Sequence, residues 1–249
     1  MTTERGGVST ESMQLVAGAL DDLVTAMPDD ARAHLRSPVF VRGIAAYVAL
    51  LVDANKMVNL TSDADPGHLL ATHIPDSLAP LLAGIPAPTS LLDIGTGGGF
   101  PAVPLALAWP SASVTMTESI AKKARFLERC VISLPLPHAR VVHGRVEDPS
   151  SGLPHHAFDM VTARGVGNIA TLLSYAAPLL SRSGRLVLWK GERDLDELAT
   201  PAVLSLLRHA RLKPTVVDYA LPHVERNSKL IILQVAPDRR ADSSGRNCP

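Results

Sequence analysis

From Ser90 to Val235 short apolar runs alternate with amphipathic stretches, and this alternation constrains the fold more than any other feature of the chain. The runs predict strands at Ser90–Ile94, Ser113–Thr117, Arg140–His143, Phe158–Thr162, Arg185–Lys190, Thr215–Ala220 and Lys229–Val235. Helices are predicted between them near Ala102–Trp109, Ile120–Ser133, Asn168–Leu180 and Asp194–His209. Strand and helix in turn imply right-handed βαβ units, and so an α/β fold with a doubly wound parallel sheet wrapped on both faces. Only the loop from Pro222 to Ser228 separates the last two runs, which suits a hairpin rather than a crossover.

Upstream the period changes. Leu15, Ala19, Leu20, Leu23 and Val24 recur at three and four, as do Ile44, Tyr47, Val48 and Leu51, so this part is expected to be helical and to contain no strand. The Pro-rich stretch Gly84-Ile85-Pro86-Ala87-Pro88 marks the switch. The expected division is an N-terminal helical region over 1–88 packing on a core over 89–236, with a polar tail over 237–249 expected to be disordered.

The first predicted strand runs into Asp93-Ile94-Gly95-Thr96-Gly97-Gly98-Gly99-Phe100, an acid followed by four glycines in five residues. In a doubly wound sheet ligands bind beyond the carboxyl ends of the strands. Glycines there allow a sharp turn and a close backbone approach to a ligand at a helix N-terminus. A tight strand-to-helix turn alone would need one or two. The dinucleotide fingerprint places its third glycine at the sixth position, where Phe100 stands, and no Gly-Lys-Ser/Thr follows to hold a triphosphate. A ligand without phosphates fits better. S-adenosylmethionine is one: Asp93 is expected to meet its ammonium group, directly or through water. Glu118, 25 residues later at the second strand end, is expected to accept the ribose hydroxyls, rather than merely cap a helix.

Composition excludes several classes. The longest apolar run, near Ile44 to Val52, is far short of the roughly 20 residues of a membrane span. The N-terminus lacks the basic-then-apolar pattern of a secretory signal, so no membrane association and a cytoplasmic location are expected. Two cysteines, Cys130 and Cys248, build neither a disulfide framework nor a CxxC site, His155-His156 has no third ligand nearby, and no metal is expected. With 24 basic and 24 acidic residues, a nucleic-acid partner would have to be met by local patches. One such patch is the stripe of Lys122, Lys123, Arg125 and Arg129 on the predicted helix after Glu118, at a spacing a phosphate backbone can use, though a solvated face is the commoner reading.

Beyond these features the chain resembles the bacterial small-subunit ribosomal RNA guanine-N7 methyltransferases, also called the glucose-inhibited division protein B family. The resemblance rests on Asn55-Lys56-x-x-Asn59-Leu60-Thr61, His73-Ile74-x-Asp76-Ser77-Leu78, LLDIGTGGGFPAVPLA, Lys122-Lys123-x-Arg125-Phe126-Leu127, Arg145-Val146-Glu147, Ala163-Arg164 and Trp189-Lys190-Gly191. It implies a Rossmann-like doubly wound sheet of the S-adenosylmethionine-dependent methyltransferase type, acting on N7 of a guanine in 16S ribosomal RNA or the small subunit. It further implies that Gly95, Phe100, Val146, Glu147 and Arg164 line the cofactor site beside Glu118, with Gly97 and Gly99 in the same loop. Arg145, Lys190 and Arg226 would face the RNA or the target base. Pro75 and the glycine-rich Arg164-Gly165-Val166-Gly167 depart from the family pattern.

Missing motifs narrow the reaction without the resemblance. C5 methylation of a pyrimidine needs a placed cysteine nucleophile, and methylation of an exocyclic amine usually uses Pro-Pro-aromatic after the fourth strand, where this chain reads TARGVGN. Guanine N7 has a lone pair and no proton to lose, so orientation suffices, and arginines are expected to orient rather than to act as acids or bases. For Arg145 an ion pair with Glu147 is the rival role. Two further readings stay open: a small-molecule methyltransferase, and a non-catalytic RNA-binding assembly factor.

Overall fold

The computed structural model describes residues 8–62, 64–222, 224 and 228–236. The predicted tail and Arg226 lie outside the described residues.

The N-terminal part is helical, and its helices start where side chains cap them. In α1 (Thr10–Thr25) the Ser9 hydroxyl accepts from the Ser12 amide at 3.1 Å. After α2 (Asp29–Leu35), Ser37 caps α3 (Pro38–Asn55), with Pro38 at the first helical position, where no N–H is needed. The next stretch is a broken helix: α4 (Pro66–His68), one π-helical turn over Leu69–His73, α5 (Ile74–Ser77) and α6 (Ala79–Leu82). Pro75 has no N–H to return to the preceding turn, and the chain stays helical by widening from α to π just before it.

From Ser90 the elements run β1 (Ser90–Ile94), α7 (Ala102–Ala108), β2 (Ser113–Glu118), α8 (Ala121–Ser133), β3 (Ala139–His143), β4 (Phe158–Arg164), α9 (Ile169–Ala176), β5 (Leu180–Lys190), α10 (Leu195–Leu198), α11 (Pro201–His209), β6 (Leu212–Tyr219) and β7 (Ser228–Val235). They form one seven-stranded sheet in the order β3-β2-β1-β4-β5-β7-β6. The pairs from β3 through β5 are parallel, and β7 lies antiparallel between β5 and β6. The expected hairpin is thus β6–β7, with its second strand inserted into the sheet rather than at its edge.

Two predicted helices end differently. The stretch Asn168–Leu180 is helical only to Ala176, because Pro178 interrupts it and Leu180 opens β5. Pro201 disfavours the helical conformation in Thr200, so Asp194–His209 divides into α10 and α11, with the Thr200 hydroxyl capping the latter. Strand β6 starts three residues earlier than predicted and carries Pro214, tolerated on an edge strand.

Neighbouring strand residues are buried on opposite faces, which is why the strands read as continuous apolar runs. Leu91, Met160 and Val187 join a cluster with the N-terminal helices, α7 and α8, while Leu92, Val161 and Leu188 join one with α9 and α11. Helix α3 is the one candidate among the described residues long and apolar enough to cross a membrane, against the expectation that no stretch would qualify. Its stripe of Phe40, Ile44, Tyr47 and Leu51 is fully buried, and the helix packs on α1, α7 and α8 as a core helix does.

Candidate active site

The loop after β1 places its glycines in two different jobs. Gly95 and Gly97 adopt left-handed φ of +68° and +62°, and a side chain at Gly95 would strike Val166 at 2.8 Å. Gly98 and Gly99 instead face the N-terminal helices: a Cβ on Gly99 (φ +105°) would sit 2.6 Å from the Tyr47 hydroxyl. That hydroxyl donates to the Gly98 carbonyl at 2.7 Å, and burial pushes its pKa well up, so it remains a neutral donor. The sequence places Gly95, Gly97 and Gly99 at the cofactor but gives no sign that Tyr47 holds the loop from behind.

Asp93, in the middle of the sheet, is fully buried. Its Oδ1 accepts from the Thr162 hydroxyl at 2.6 Å, while Oδ2 is buried with no hydrogen-bond partner. Burial raises its pKa to about 7 against the pull of its hydrogen bonds and of Arg164. Glu118, at the end of β2, is 5% exposed; its Oε2 accepts from the Gly97 amide at 2.9 Å and its Oε1 from the Ile120 amide at 2.8 Å. The carboxylate therefore ties the second strand end to the glycine loop, and each oxygen keeps a lone pair for another donor. Ile120 beside it is a large apolar residue left 45% exposed, which the sequence reading does not single out.

In the loop after β3, Val146 is half-buried against the second core cluster. Arg145 is 73% exposed and stands 3.8 Å from the Glu147 carboxylate, so the rival ion pair is present in a weak, solvated form.

At the end of β4, Arg164 is held from several sides. Its Nε donates to Asp76 Oδ2 at 2.9 Å, one terminal nitrogen to His73 Nδ1 at 3.0 Å, and the other to the Ser77 hydroxyl at 3.5 Å. Since a guanidinium only donates, His73 must accept at Nδ1 and carry its proton on Nε2. The His73 ring stacks on Phe100, with centroids 5.1 Å apart, and Arg164 lies 5.8 Å from the same ring. Phe100 thus forms a wall joining the glycine loop to the π-helical turn and β4. His73 and Asp76, three residues apart, thus share Arg164. Asp76 also takes a hydrogen bond from the Tyr219 hydroxyl at its carboxylate and one from Trp189 Nε1 at its carbonyl, 2.8 Å away.

Arg164, Trp189, Lys190, Tyr219 and Lys229 line a cavity of about 460 Å³ at this edge. Lys190 donates to the Gly167 carbonyl at 2.9 Å and pairs with Asp194 at 3.6 Å. On α8, Lys122, Arg125 and Arg129 lie exposed along one stripe, with Lys123 half-buried. Among the described residues no group of three His, Cys, Asp or Glu side chains is arranged to hold a metal ion, and Cys130 is buried with its pKa pushed up to about 12 by burial.

Similar folds occur in solved structures. Cofactor-bound Rv0187 from MTB has a TM-score of 0.54 at 20% identity, covering 78% of this chain and 90% of that one. An O-methyltransferase from Bacillus cereus in complex with SAH has a TM-score of 0.54 at 16% identity, covering 77% and 91%. Sheet order and glycine loop together define a Rossmann-like fold of the methyltransferase class. Within it, the family model described as rRNA small subunit methyltransferase G matches residues 41–218. Proteins named ribosomal RNA small subunit methyltransferase G are 37% identical over 201 residues in Roseiflexus castenholzii (79% of this chain, 84% of the relative) and 41% identical over 170 in Sorangium cellulosum (67% and 71%). The chain belongs to the rRNA small subunit methyltransferase G family.

Proposed function

We propose that the chain methylates N7 of a guanine in 16S ribosomal RNA of the small subunit, with S-adenosylmethionine as the methyl donor. The observation that carries this reading is the placement, in a chain of this family, of the Arg164-lined cavity one strand away from the Asp93–Gly99 loop, both at the carboxyl edge of the sheet.

The residues present fit that donor. A buried carboxylate oxygen without a hydrogen-bond partner, Asp93 Oδ2, suits a cationic ligand, met directly or through water. Gly97 leaves the backbone open to close approach, Glu118 has acceptor capacity for a ribose diol, and the apolar faces of Ile120 and Val146 suit an adenine, with Glu147 beside it. S-adenosylmethionine supplies a methyl group on a positively charged sulfur; as the bond to N7 forms, sulfur keeps the electron pair of the broken C–S bond and the positive charge passes to the guanine ring.

No proton leaves, so the chain needs no general base. Its task is orientation and exclusion of water. Arg164 offers its remaining N–H groups to acceptors on the base, and Lys190, braced by Gly167 and Asp194, sets the far wall of the cavity. Exposed Arg145 and the α8 stripe, together with Arg226 from outside the described residues, meet phosphates.

The test incubates the protein with labelled S-adenosylmethionine and small subunits from cells lacking it, and maps the labelled nucleosides. Label recovered as 7-methylguanosine at one site is expected. Cofactor binding with no transfer to RNA would replace this reading with a small-molecule methyltransferase.

A further inference from the structure

The cavity contains one group that orientation of a base does not by itself call for. This is the carboxylate of Asp76, only 15% exposed and engaged by two side chains. Asp76 lies on α5, outside the sheet, yet β4, β5 and β6 each send a side chain to it: Arg164, Trp189 and Tyr219.

Arg164 has five N–H donors. Asp76, His73 and Ser77 engage three of them, one each, which leaves two to face a ligand. An arginine so placed has an electrostatic defect. Methylation at N7 leaves the guanine ring positively charged, and an uncompensated guanidinium at the cavity wall opposes that charge as it develops. A half-buried pair has zero net charge and still presents donors.

We propose that Asp76 is a positioning residue for methyl transfer: it fixes the plane of the Arg164 fork and cancels its charge, so that Arg164 can bond the guanine without resisting the cation formed on it. Tyr219 in turn fixes Asp76. Burial and the neighbouring carboxylate push the Tyr219 pKa up, which keeps the hydroxyl a donor across the working range. The inference rests on the reaction proposed above.

Asp76→Asn retains the shape and removes the charge. It is expected to lower kcat about a hundredfold, while the Kd for S-adenosylhomocysteine, measured by calorimetry, stays within about threefold. In an Arg164→Gln background the same substitution should lower kcat no further, because Asp76 acts through Arg164. Asp76→Glu, which restores a carboxylate, should recover part of the loss. A folded Asp76→Asn variant with kcat near wild type, or an equal loss in both backgrounds, would overturn the proposal. If Asp76→Asn does not fold, Tyr219→Phe decides: a kcat loss of about fivefold at unchanged Kd is expected, and full activity refutes it. Wild-type protein is assayed alongside; its failure to methylate subunits would instead sink the parent reading, and this inference with it.

Discussion

Asp93 is an acid fully buried in the sheet. Its carboxyl ionises near pH 7 when folded, compared with 3.8 as its ordinary value. A carboxyl with a raised folded pKa adds stability below the unfolded pKa and loses it as pH rises through the folded one. The window here is about pH 4 to 7, and a gap of about three pH units corresponds to roughly 4 kcal/mol. Asp93→Asn removes this dependence, so urea midpoints of wild type should fall more between pH 5 and pH 8 than those of the variant. Parallel curves would show that Asp93 titrates elsewhere. The same group predicts a pH-dependent cofactor. An ammonium favours the ionised carboxylate, so affinity should rise with pH through about 7 in wild type. In Asp93→Ala, binding should be lost with the fold intact; normal affinity there would rule out the ammonium contact.

Among elements, the glycine loop shows how much of the site was legible. Its place after β1 could be read because the apolar run, the acid and the glycines are local in sequence. That Tyr47 pins the loop through the Gly98 carbonyl could not be read, since the contact joins α3 to a residue 51 positions later. The same holds for Arg164 with His73, 91 residues apart, and Tyr219 with Asp76, 143 apart. Both segments carried recognisable motifs, but only the folded chain brings them together. Helix ends are less legible for a smaller reason: the apolar pattern continues past Ala176 and across Thr200, and only Pro178 and Pro201 mark where the helices break. Gly99→Ala tests the loop directly. A left-handed backbone and a 2.6 Å approach to the Tyr47 hydroxyl should cost about 2 to 4 kcal/mol in urea unfolding. Adding Tyr47→Phe removes the struck atom, so the two losses should be less than additive; strict additivity would mean the loop rearranges instead.

At the scale of the molecule, the N-terminal helices and one face of the sheet share a continuous apolar cluster, in which Tyr47 and Leu51 pack with Leu91, Met160 and Leu230. The Pro-rich stretch before β1 therefore separates two sequence patterns without separating two cores. The zero net charge also hides local structure. Replacing Lys122, Arg125 and Arg129 by Gln should weaken RNA binding and reduce the slope of log affinity against log salt by roughly 2 to 3. An unchanged slope would return the stripe to a solvated surface.

The position of β7 has a consequence for biosynthesis. Strand β7 comes last in the sequence of the core, yet lies between β5 and β6. Until Val235 has been made, β5 offers an unpaired edge and β6 has no partner on either side, while the N-terminal helices and β1 to β4 already have theirs. Such an edge recruits strands from other chains. Translation that stalls within the last few dozen codons before Val235 would thus release a half-built sheet prone to aggregate, and the pace of synthesis over those codons becomes a determinant of yield.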